Sequence, residues 1–233
     1  MNRQAQGVLL LLFGGAILRA SISDLYLRYV KEGLRPFLIA AGVLLVAAAV
    51  MTLWHDLRDT DTDGHGHHEP RVGWLLLLPV LGLLLVAPPA LGAYAAGQAG
   101  AVLPAQPADS SFPPLPPGDP VKIGLVEYAT RAVYDDGKGM PGRSLELTGF
   151  ITAGRDGRPM LTRIVLSCCA ADGRPIKIGM TGNVPVGLAP DTWVRVSGVY
   201  TAQTEKDPVN EVTVPYVEVR TWEKTAPPRR QYE

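Results

Sequence analysis

Two cysteines stand side by side at Cys168 and Cys169, and a carboxylate, Asp172, follows three positions later. No other cysteine occurs in the 233 residues. Thiolates and a carboxylate in one short stretch are ligands for a divalent metal such as zinc. Adjacent thiols also offer redox chemistry through a strained, easily reduced disulfide. A third reading is packing alone: free cysteine buries like a small apolar residue, and Asp172-Gly173 is a natural turn. Geometry decides between them. MLTRIVLSCCA reads as a strand over 160–170. Neighbouring side chains on a strand point to opposite faces, so one ion could not take both thiols without a bulge.

A second set of ligand types lies elsewhere. His55, His65, His67 and His68 are all the histidines of the chain, and Asp56, Asp59, Asp61, Asp63 and Glu69 surround them. Imidazole with carboxylate suits a borderline divalent ion. Gly64 and Gly66 make the tract a flexible capture loop. The alternative is a solvated polar connection between two helices.

The elements that must position these groups divide sharply. Residues 1–100 read as a membrane domain of three helices, at about 5–28, 36–54 and 72–96. A spanning helix needs roughly 20 largely apolar residues. The first run meets this only if Arg19 reaches toward the interface on its long stem. Pro79 should kink the third, and Pro88-Pro89 should close it. On this reading GAYAA is merely the end of that helix. Three spans place the amino terminus and the carboxyl domain on opposite sides, and the latter is expected outside the cytoplasm. Basic residues are nearly balanced between the two sides, with Arg28, Lys31 and Arg35 facing Arg3, Arg58 and Arg71. The histidine loop and the cysteine pair then lie on opposite sides of the bilayer. Residues 101–118 are Pro-rich and read as a stiff linker.

Residues 119–233 read as a soluble domain. Asp119-Pro120 resembles a helix start, followed by a short helix to about Tyr134. Strands are expected at 144–153, 160–170, 175–180, 193–202 and 212–222, with GRDGRP and Asp172-Gly173 as hairpin turns. LTGFIT and VSGVYT share a glycine that suggests a bulge or bend. Five bent strands in so short a domain predict a small OB-like β-barrel. The fold class is therefore membrane α followed by β.

Lys and Arg together number 22, as do Asp and Glu, so no basic footprint for nucleic acid exists. No nucleophile–base set or phosphate loop is visible, which argues against an enzyme. TGFIT, the CCAAD box (Cys168, Cys169, Ala171, Asp172) and the VSGVY strand, together with the His/Asp-rich loop and Pro88-Pro89, resemble the YcgQ-type family of membrane proteins. The resemblance spans nearly the whole chain. It implies a non-enzymatic accessory subunit, embedded in membrane lipid, of a larger multi-pass permease that moves a small solute or a metal. It strengthens the box as a site without naming its ligand. The alternative function is a membrane-tethered thiol redox or metal-sensing protein.

Overall fold

The computed structural model describes residues 3–58, 82, 89–104 and 112–233. The chain forms two compact units, Met1–Pro89 and Ala90–Glu233.

In the first unit, α1 (Arg3–Ile22) packs against α2 (Arg35–Arg58) as a helical hairpin. Small residues set the approach. A Cβ on Gly14 would lie 3.0 Å from the Gly42 carbonyl oxygen, and one on Gly42 would lie 2.8 Å from Leu18 Cγ. The connecting turns are pinned where Arg35 Nε donates to the Ser21 carbonyl at 3.0 Å. Leu44, Met51 and Leu57 on α2 are exposed. Such outward apolar side chains suit a hydrocarbon solvent better than water.

Among the described residues, one helix is long and apolar enough to cross a membrane: Glu32–Arg58, 27 residues with a mean hydropathy of 2.4. The apolar part of α1, Gln6–Ile22, is shorter. The expected first span to residue 28 is therefore corrected. Polar residues close the helix at Ile22, where Ser21 and Ser23 hydroxyls turn back onto the carbonyls of Ile17 and Arg19. The expected span at 72–96 lies outside the described residues up to 88, except Gly82. Its end differs from expectation. GAYAA belongs to the second unit, where α3 (Ala93–Gln98) packs on the barrel.

In the second unit, five strands close a barrel: β2 (Leu145–Ala153), β3 (Pro159–Val165), β4 (Arg174–Gly182), β5 (Trp193–Lys206) and β6 (Thr213–Lys224). The ring runs β2–β3–β4–β6–β5 and returns to β2. Only β4–β6 is parallel within it. A two-residue β1 (Val121–Lys122) adds to β2 in parallel. Alternating Leu145, Leu147, Leu161, Ile176, Ile178, Val194, Val196, Val217 and Val219 fill the interior, as a half-buried pleat requires. The expected bend at VSG is a register shift between Ser197 and Gly198. A Cβ on Gly198 would lie 2.4 Å from the Glu218 carbonyl oxygen, so the strands approach there only with glycine.

Two local expectations fail for physical reasons. Asp119-Pro120 does not start a helix. It precedes β1, and α4 (Leu125–Tyr134) begins after Gly124. The free N–H groups of Leu125 and Val126 are capped by the Glu233 carboxylate at 3.1 and 2.9 Å, from the far end of the chain. The Pro-rich stretch is not a free spacer where it is described. Val102, Leu103 and Leu115 pack on the core, and Pro113 and Pro116 carbonyls accept from Arg131 and Arg143.

The segment after Ala90 is held by a buried ion pair. Lys177 Nζ on β4 meets Asp207 Oδ2 at 3.0 Å and donates to the Ala99 carbonyl at 2.9 Å. Removing one member of a buried pair leaves an uncompensated charge. Asp207→Ala is expected to destabilise the barrel by about 3–5 kcal/mol. Urea unfolding of the purified chain, followed by tryptophan fluorescence, checks this, and a loss below about 1 kcal/mol would contradict it.

Candidate functional site

A barrel of this type usually binds its ligand on the outer face of its second and third strands. Here those strands are β3 and β4. Five consecutive residues of β3 and six of β4 are buried, so both faces of each strand are covered. Alternation alone would leave one face open. The cover is the chain's own residues 90–104. Ala96 packs with Phe150, Ile164 and Leu166, and Ala101 packs with Met160 and Val214. Val102 N–H donates to the Pro175 carbonyl at 2.9 Å. The usual ligand face is thus occupied from within. A shallow groove of about 200 Å³ lined by Thr152, Pro159, Val186 and Leu188 carries no titratable side chain.

The loop between β3 and β4 does carry chemistry. β3 ends at Val165, so Cys168 and Cys169 are not in strand, contrary to the expectation for 160–170. Residues 166–173 instead fold around one carboxylate. Asp172 Oδ1 accepts the Ser167 N–H at 2.8 Å, and Oδ2 accepts the N–H groups of Cys168 at 2.8 Å and Cys169 at 3.3 Å. Asp172 returns its own N–H to the Cys169 carbonyl at 3.0 Å, closing a short 3-10 turn over Ala170–Asp172. The turn removes the alternation that would have separated the thiols. Their sulfurs lie 3.7 Å apart. Cys168 Sγ, Cys169 Sγ and a carboxylate oxygen of Asp172 all fall within 4.8 Å of one another. Cys168 is exposed and Cys169 half-buried.

The ends of the loop are clamped from distant sequence. Leu166 N–H donates to the Glu233 carbonyl at 3.1 Å, and Glu233 N–H donates to Ile164 at 2.9 Å. Gly173 has φ −60°, so it is not the hairpin glycine expected from Asp-Gly. A Cβ there would lie 2.5 Å from Leu91 Cδ1, so the Leu91 side chain rests against this glycine. Tyr232 Oη accepts the Leu91 N–H at 2.7 Å and joins the two clamps. None of these partners carries a local sequence signal.

The electrostatics follow from the geometry. Hydrogen bonds from the Cys168 thiol and from the backbone of Cys168 and Ser167 hold the Asp172 carboxyl down at about 2. Hydrogen bonding to Asp172, and then to Cys169, pushes the Cys168 thiol up to about 11. A reactive redox cysteine needs the opposite shift. Among the expected histidines, His55 lies in the last turn of α2, in the other unit. His65, His67 and His68 lie outside the described residues.

Residues 128–233 match the model of the DUF1980 C-terminal domain, a span that takes in all five barrel strands and the cysteine loop. No curated protein and no solved structure matches the chain.

The Cys168 proton is held by a neighbouring negative charge, so removing that charge should free the thiolate. Asp172→Asn, in a Cys169→Ser background, is expected to speed alkylation of Cys168 by iodoacetamide at pH 8 by roughly tenfold. An unchanged rate would show that the carboxylate does not hold the proton.

Proposed function

We propose that the chain is a non-enzymatic, membrane-anchored subunit whose barrel captures a thiophilic divalent cation of the zinc class at Cys168, Cys169 and Asp172. One observation carries this reading, the 3.7 Å separation of the two sulfurs. Two thiolates at about 2.3 Å from a tetrahedral zinc ion stand about 3.8 Å apart. The loop holds its thiols at that bite before any ion arrives, and the third donor belongs to the carboxylate that shapes the loop. Oxygen-only ions such as magnesium and calcium would find too few oxygens here.

The cation is cargo in this proposal, handled for a larger multi-pass permease of the YcgQ-type pairing. The hairpin α1–α2 and the apolar run at 72–88 would anchor the chain in lipid as three spans, with the barrel outside the cytoplasm. The match of residues 128–233 to the DUF1980 C-terminal domain supports the family at the level of the barrel.

Metal analysis of the full chain, purified in detergent under a non-thiol reductant, tests the reading. One equivalent of zinc is expected, and Cys168→Ser with Cys169→Ser should remove it. Zinc retained by the double variant, or none bound by the parent chain, would sink the proposal.

A further inference from the structure

The donor set is incomplete, and that has a chemical meaning. Structural zinc sites close with four protein ligands, while sites that exchange or react keep one position open. Among the described residues, the three donors at Cys168, Cys169 and Asp172 stand as a group with no fourth His, Cys, Asp or Glu. The other loop residues are Leu166, Ser167, Ala170, Ala171 and Gly173, which bring no imidazole, thiol or carboxylate. Every histidine of the sequence precedes residue 69, outside the barrel unit Ala90–Glu233.

The Asp172 carboxylate is also partly committed. Oδ1 serves Ser167 N–H, and Oδ2 serves two further N–H groups. Its remaining lone pairs suit a single oxygen contact to an ion, not a two-oxygen clamp that would fill a fourth position. The exposure of Cys168 and the small side chains of Ala170 and Ala171 leave the loop uncovered on its solvent side.

We infer that the loop is an exchange site: it holds the divalent cation by three donors, and the fourth is a monodentate thiolate or imidazole brought by the molecule that delivers or receives the ion. The inference rests on the metal-capture reading above and goes beyond it by fixing the class of partner. An open position could instead activate water. That chemistry needs a general base within hydrogen-bond reach. The barrel unit contains no histidine, and Asp172 is taken as a ligand. Transfer passes the ion between ligand sets without any change of its oxidation state. The thiolate or imidazole of the partner bonds to the ion first, and the donors of the loop leave afterwards.

Cobalt(II) replacing zinc tests this, because its visible spectrum reports its ligands. The full chain in detergent, free of metal and kept reduced with a phosphine, is loaded with one equivalent of Co²⁺. Imidazole and 2-mercaptoethanol are then titrated separately. The expected result is a saturable spectral change with each ligand, at one ligand per cobalt. The starting spectrum should be the same in a variant with His55, His65, His67 and His68 all changed to Ala, and at every protein concentration. Bound cobalt whose spectrum ignores both ligands would overturn the inference and leave metal capture standing. A starting spectrum altered in the histidine-free variant would place the fourth donor in this chain, and one that varies with protein concentration would place it in a second copy. Either also overturns it. Failure to bind cobalt at all would remove metal capture itself, and the inference with it.

Discussion

One carboxylate organises the part of this molecule that can do chemistry. Asp172 gathers three consecutive backbone N–H groups, from Ser167 through Cys169, onto its two oxygens. Those groups would otherwise point into solvent or continue the β3 ladder. Binding them turns the chain sharply after Val165, and the turn places two neighbouring thiols on one side. The hydrogen bond to the same carboxylate keeps the Cys168 thiol protonated. A thiol held protonated in this way is a poor nucleophile, and a cation bound beside it, as proposed, would reverse that penalty by its own charge.

The loop is tied at both ends to the rest of the barrel. The chain reaches β3 and β4 from two distant directions: residues 90–104 lie across their outer faces, and Tyr232 and Glu233 run along the end of β3. Leu91 presses on Gly173 at one end of the loop, and the Glu233 carbonyl holds Leu166 at the other. The Glu233 side chain meanwhile caps α4. The face that barrels of this type use for ligands is here an internal packing surface. The proposed cation site lies instead on a connecting loop, which is where binding residues commonly sit.

The barrel was legible because it is written in short-range pattern. Alternation in LELTGFITA and WVRVSGVYTA, the glycine before each apolar pair, and the GRDGRP turn all depend on neighbours a few residues away. The strand read through Cys168 and Cys169 failed for a reason that the same pattern hides. The apolar run Ile164-Val165-Leu166 carries past the strand's end, while a side chain three residues downstream of Cys169 competes for the backbone. The helix start failed likewise, since Asp119-Pro120 carries a capping signal but the cap comes from Glu233, more than a hundred residues away. Proline content suggested a detached linker, yet proline carbonyls remain good acceptors, and Arg131 and Arg143 use them. The cysteine pair and Asp172 could be named from sequence. Their convergence could not, because it depends on a fold of the loop that runs against its hydrophobic pattern.

The central claim is that both thiols and the carboxylate meet on one ion. Zinc K-edge X-ray absorption of the loaded full-length chain reads the donor shell directly. The account predicts two sulfurs at about 2.3 Å and two lighter donors, one from Asp172 and one exchangeable, at about 2.0–2.2 Å. A shell of nitrogen and oxygen with no sulfur would place the metal elsewhere and contradict the account.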